Sequence, residues 1–137
     1  MKLQVFTCVI LVSLVHLLTG CESGDEHGYG LDASSATGVT PEIGSFSFNQ
    51  EGSFAVVSDP ATGLRSVRFS RDKYRYDLIP VVDGAFFFEH GQINGTDSPT
   101  DGYAISGHFI TPAEAEGQVA YAFDGQVTAR LAFSAQK

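Results

Sequence analysis

Beyond residue 43 the chain reads as short runs of Phe, Val, Ile and Tyr, each closed by turn-forming residues at the spacing of an all-β domain. The runs predict eight strands, near 44–49, 53–59, 64–70, 73–82, 85–94, 103–111, 118–124 and 126–136. Between them lie Gln50–Gly52, Asp59–Gly63, Ser70–Asp72, Asp83-Gly84, a longer Gly95–Gly102 loop, Pro112–Gly117 and Asp124-Gly125. No stretch holds apolar residues at a sustained helical period, and only Pro112–Glu116 has room for a single helical turn. The predicted class is all-β: about eight antiparallel strands in a small barrel or sandwich.

Parity sets the expected register, because a one-residue slip turns every side chain to the other face. A two-residue turn at Asp83-Gly84 puts Val82 opposite Ala85, Val81 opposite Phe86 and Ile79 opposite Phe88, apolar against apolar. Pairing Asn94 with Tyr103 in the next hairpin sets Phe88 against Phe109, Phe87 against Ile110 and Glu89 against His108. Tyr74, Tyr76 and Leu78 run out of phase with Ile79 and Val81, which predicts a bulge at Ile79-Pro80, where proline already removes a ladder donor. A strict turn at Asp124-Gly125 would set Tyr121 and Phe123 against Thr128 and Gln126, so a bulged turn is expected there.

The first 42 residues have a different texture. Behind Lys2, Leu3 to Leu18 is uncharged and nearly all apolar; at about 16 residues it falls short of the ~20 of a membrane-spanning helix and suits a secretory leader. Residues 22–42 are rich in Gly, Ser, Thr, Asp and Glu without apolar period, which predicts a flexible, disordered tether. The expected organisation is a signal peptide over 1–20, Cys21 and a linker to residue 42, and a β domain over 43–137. Cys8 leaves with the leader, so the mature chain has no thiol pair to oxidise. Removing residues 1–20 deletes Lys2, the only formally charged side chain there, and takes the net charge from −8 to −9. That balance predicts no nucleic-acid partner and no attraction to an anionic membrane surface.

Leu18-Thr19-Gly20-Cys21 resembles the lipobox of bacterial lipoproteins: an aliphatic residue, two small residues that let a peptidase approach, and a cysteine thiol that takes the lipid. The resemblance implies cleavage between Gly20 and Cys21, a diacylglycerol thioether on Cys21, and often a third acyl chain such as palmitate. Each buried methylene adds ~0.8 kcal/mol, so two or three chains anchor stably where one does not. The competing reading is an ordinary secretory signal, or an uncleaved helix, with an incidental cysteine. Glu22, in place of aspartate after the cysteine, implies by the same resemblance the outer membrane of a diderm cell.

Asp83 to Ala135 is similar to a widespread set of secreted and lipid-anchored bacterial β domains that share a "DG-small-F" strand start, a "G-x-F-x-S/T-P-x-x-A-x-G" segment and a final strand near "TA". The matching residues are Asp83-Gly84-Ala85-Phe86, Gly107-His108-Phe109, Thr111-Pro112, Ala115-Glu116-Gly117 and Phe133-Ser134-Ala135. The resemblance implies a fold and no activity. Gly107, Phe109 and Gly117 also resemble, more weakly, the closing motif of transferrin-binding and factor-H-binding surface lipoprotein barrels.

Candidate chemistry is sparse. Arg65, Arg68, Arg71, Lys73 and Arg75 hold five of the seven basic residues left after Lys2 is removed, and Arg71, Lys73 and Arg75 share one strand face. Together with Arg68 they could steer an acidic protein or glycan partner, or simply form a solvated face that deters edge pairing. Phe87, pushed outward beside Ile110, is a candidate partner surface unless barrel curvature or the tether covers it. His90 and His108 fall on opposite faces and cannot share a metal; a His108–Glu89 pair is the plain expectation. Glu26-His27 reads as solvated linker and Asp97 with Asp101 as a plain loop without calcium-loop spacing. Asn94-Gly95-Thr96 is a glycosylation sequon only in a eukaryotic secretory context.

No cofactor, metal set or catalytic constellation emerges. The expectation is a lipid-anchored cell-envelope protein, a non-catalytic binding or structural module tied to the membrane through Cys21. The alternatives are a surface barrel that captures a host protein or haem-like ligand, and an envelope hydrolase. An open apolar interior would favour the second, a convergent polar pocket the third, and a filled core the first.

Overall fold

The computed structural model describes residues 29–70, 76–90 and 102–137. Among the described residues there are eight strands: β1 (Gly44–Phe48), β2 (Ser53–Ser58), β3 (Arg65–Phe69), β4 (Asp77–Pro80), β5 (Ala85–His90), β6 (Gly102–Thr111), β7 (Glu114–Phe123) and β8 (Gln126–Gln136). They form one antiparallel sheet in the order β4-β3-β2-β1-β8-β7-β6-β5, curled into a nearly closed barrel. Two meanders, β1–β4 and β5–β8, are joined where Ser47 and Phe48 pair with Gln136 and Ala135.

Alternation sends one side chain in two to the interior, where Phe46, Phe109, Ile79, Ile105, Val56, Val67 and Val119 are fully buried. Phe46 stacks on Phe54 at 5.1 Å, Phe48 stacks on Phe133 at 4.4 Å, and Phe109 meets Phe46 edge-on at 5.6 Å. These rings interdigitate across the barrel, so its centre is a packed core. One cross-strand row explains the curvature: Phe86 opposes Gly107, Gly107 opposes Gly117, and Gly117 opposes Phe133. A Cβ on Gly107 would lie 2.5 Å from the Phe86 ring, and one on Gly117 would lie 2.8 Å from the Phe133 ring and 2.1 Å from the Ser106 carbonyl. The two aromatic rings cover the two bare glycines, which lets the sheet coil tightly there.

Turn chemistry follows the sequence. Asp83 and Gly84 both take positive φ (49° and 79°) between Val82 and Ala85, which pair directly, and Asp124 and Gly125 do the same (53° and 73°) between Phe123 and Gln126. The turn at Asp124-Gly125 is a strict two-residue one with Phe123 opposite Gln126, not the bulged turn expected; the irregularity lies beyond it, where Tyr121 pairs with Ala129 and Ala122 with Val127, leaving Thr128 extra. β7 starts earlier than expected, because Pro112-Ala113 forms a tight turn after a bulge between Phe109 and Thr111.

Two expectations of register are corrected. The β5–β6 register has Ala85 opposite His108, Phe87 opposite Ser106, Phe88 opposite Ile105 and Glu89 opposite Ala104, four residues from the expected pairing. A slip of four keeps every side chain on its face, so parity could not detect it. No bulge interrupts β4, which pairs regularly with β3 from Ser66↔Pro80 to Phe69↔Asp77. Tyr76 and Leu78 simply face outward, with the Arg68 guanidinium 5.4 Å over the Tyr76 ring.

The described part of the segment before β1, residues 29–43, is also not the free tether its composition suggested. From Tyr29 to Ile43 it has no helix or strand, yet it lies along the outer wall of the barrel. Tyr29 and Leu31 are buried against Ala104, Ala120 and Ala122. Small side chains on β6 and β7 leave a groove that these two residues fill. Arg130 Nε donates to the Tyr29 carbonyl at 2.9 Å, Ser106 Oγ donates to the Asp32 carbonyl at 2.5 Å, and the Thr37 and Gly38 amides both donate to the Asp83 carbonyl at 2.8 and 2.7 Å. The arm therefore pairs several of its backbone groups with the barrel, which polar composition alone does not reveal.

Candidate functional site

The arm and the outer wall enclose a polar cleft of about 590 Å³. Ser106 and His108 reach it from β6, because residues two apart on a strand share a face; Glu116 and Gln118 reach it from β7 and Ser134 from β8. The arm supplies Ser34, whose hydroxyl lies 3.1 Å from that of Ser106. His108 Nε2 lies 3.2 Å from Glu116 Oε1, its cross-strand neighbour. The expected cross-strand partner of His108 is thus a glutamate, but Glu116 rather than Glu89. His108 Nδ1 is buried without a hydrogen-bond partner.

Serine, histidine and glutamate in one cleft invite comparison with a nucleophilic relay, and the hydrogen bonds do not assemble one. The Ser106 proton points to the Asp32 carbonyl, while the His108 nitrogen facing Glu116 is Nε2 and the other ring nitrogen meets no hydroxyl. What the cleft offers is hydroxyl, amide and carboxylate groups to a hydrogen-bonding ligand.

A second feature is the seam between β4 and β5. Among the described residues the one bridge at this seam is Val82↔Ala85, just beyond the end of β4, so the expected Ile79–Phe88 pairing is not made. Val81 N–H donates to Arg65 on β3, which by alternation aims the Pro80 nitrogen, without a hydrogen, at β5. The open end of the seam is closed by side chains. Tyr103 donates its hydroxyl proton to Asp77 Oδ2, which lies 3.9 Å from His90 Nδ1. Burial, then the hydrogen bond to Asp77 and that carboxylate's charge, push the Tyr103 phenol well above the ordinary tyrosine range. The Tyr29 hydroxyl donates to the His90 carbonyl.

Of the sequence-derived partner residues, Arg68, Phe87 and Ile110 are described, on β3, β5 and β6. Cys21 and Gly20, the cluster Arg71, Lys73 and Arg75, and Glu26, His27, Asn94, Asp97 and Asp101 lie outside the described residues. Arg68 is exposed on β3, engaged with Tyr76, and Arg65 donates Nε to the Pro41 carbonyl at 3.2 Å. Phe87 and Ile110 are both exposed, at 39% and 50%, but Phe87 opposes Ser106 and Ile110 sits at the β6 bulge, so they make no cross-strand pair. The cleft and the seam cluster escaped sequence reasoning because both depend on residues far apart in the chain. The one available signal was Tyr29 and Leu31, two apolar residues two apart in an otherwise polar stretch.

No family model, curated protein or solved structure matches this chain.

Proposed function

We propose that the chain is a lipid-anchored cell-envelope protein, held by acyl chains on Cys21, whose barrel is a non-catalytic binding module. Its ligand site is the outer-wall cleft beneath the arm, and its partner is a protein or glycan that hydrogen-bonds to Ser34, Ser106, Glu116 and Gln118. The observation that carries this reading is the filled barrel interior: a haem-like guest would have to displace Phe46, Phe54 and Phe109, all at most 3% exposed. That argument sets the interior-capture alternative second, and the unassembled Ser106–His108 contact sets the hydrolase third.

The test uses the full chain isolated from cells. Mass spectrometry should find the diacylglycerol on Cys21. Immobilised through its lipid in vesicles, the protein should retain an envelope glycan or protein that is lost on Gln118→Trp, which fills the cleft mouth, and kept on Arg68→Glu. Retention unaffected by Gln118→Trp would remove the cleft from the proposal. Loss on reversing Arg71, Lys73 and Arg75 to Glu would move the site to the basic cluster.

A further inference from the structure

We infer that the barrel rim carrying the β7–β8 turn faces the membrane and sets Phe123 into the bilayer interface, as a contact additional to the lipid. The inference rests on the proposed lipid at Cys21 and takes its direction from the docked arm.

Antiparallel order puts the strand ends Phe48, Phe69, His90 and Phe123 at one rim, with the Asp124-Gly125 turn, and Ser58, Pro80 and Thr111 at the other. Tyr29 docks at the first rim, where β6 begins at Gly102 and β7 ends at Phe123: it is buried against Ala122 and its hydroxyl reaches the last residue of β5. From there the arm runs toward the second rim, where Thr37 and Gly38 meet Asp83 and Glu42 meets Pro112. The chain leading back to Cys21 therefore departs from the Tyr29 rim.

Docking also shortens the leash. Eight residue steps separate Cys21 from Tyr29, and a fully extended chain gains ~3.3–3.6 Å per residue, so the lipidated thiol is at most about 29 Å from Tyr29. A ten-residue strand such as β6 is ~33 Å long and, at the ~40° tilt of a barrel, spans about 25 Å along the axis. Turning the second rim to the bilayer would need nearly the whole leash stretched along the barrel wall. The first rim reaches the bilayer with slack to spare. It presents Phe123, 57% exposed beside the Asp124-Gly125 turn, where the aromatic ring has no protein core to join. An aromatic ring held this close to acyl chains partitions into the interface, and the tether makes that step intramolecular. The contact is apolar, which suits a protein as acidic as this one.

The chain contains no tryptophan, so a single introduced indole is an unambiguous reporter. Full-length lipidated protein carrying Phe123→Trp is reconstituted into phosphatidylcholine vesicles with acyl chains brominated near the headgroup. A second protein carries Leu64→Trp, at a position 65% exposed on the second rim. Loss of most of the F123W emission to bromine, with a shift to shorter wavelength and an unquenched L64W, is the expected result. Co-flotation with an unquenched F123W, or quenching of L64W instead, overturns the orientation while leaving the anchor intact. Protein that stays in solution with an unmodified Cys21 overturns the anchor and the orientation together.

Discussion

Leu31→Ala tests whether the arm is part of the folded unit. Leu31 is 7% exposed and packs with Tyr29 in the groove over Ala104, Ala120 and Ala122. The substitution removes three buried carbons; at ~0.8 kcal/mol each the arm loses about 2.4 kcal/mol of docking free energy, about 50-fold in its docking equilibrium. The figure is the transfer term alone: residual burial in the undocked arm lowers it and a cavity left in the groove raises it. The reporters are the Thr37 and Gly38 amides, which donate to the Asp83 carbonyl six and seven residues beyond the substitution. If the arm opens as one cooperative segment, native-state hydrogen exchange at both amides accelerates by tens of fold. The Val119 amide in the centre of β7 moves far less, because barrel opening is a separate and costlier event. Equal protection of Gly38 in both proteins, or exchange at the unstructured rate in the unsubstituted one, would refute the docked arm and remove the basis for the short leash.

Phe109→Ala empties the centre of the aromatic core, where Phe109 contacts Phe46, Phe54 and Phe86, and is expected to cost about 3–5 kcal/mol in chemical denaturation. Gly117→Ala should disrupt folding far more than Gly63→Ala: the first drives a Cβ to 2.1 Å from the Ser106 carbonyl, while the second meets nothing within 4 Å and loses only the roughly 1–2 kcal/mol of a left-handed alanine. Tyr103 has a raised folded pKa, so its contribution is complete below the unfolded tyrosine value of about 10 and is lost as pH climbs from there through the folded value. Tyr103→Phe should therefore flatten the alkaline fall in stability, followed by denaturant midpoints with phenolate absorbance as the titration readout; an unchanged alkaline slope would contradict the Tyr103–Asp77 bond.

Local pattern alone determined the strand class and most strand positions, because alternation and turn residues are written in neighbouring positions. Asp83-Gly84 and Asp124-Gly125 mark turns by composition, and the clash of faces around Tyr121 called for an irregularity in that hairpin, though the structure puts it at Thr128 and not in the turn. Tertiary structure decided the rest. The β5–β6 register could slip by four without turning one side chain, and the observed pairing is the one that sets Phe86 over Gly107. Closure into a barrel, and the seam that Pro80 leaves between β4 and β5, depend on strands that meet around a circle. The arm read as a linker because each of its residues is unremarkable locally; Tyr29 and Leu31 became buried only because β6 and β7 present alanines there. The candidate cleft exists by the same juxtaposition, since Ser34 lies 72 residues from the Ser106 it meets. Periodicity reports the face on which a side chain lies, whereas its contacts depend on how distant faces fit together.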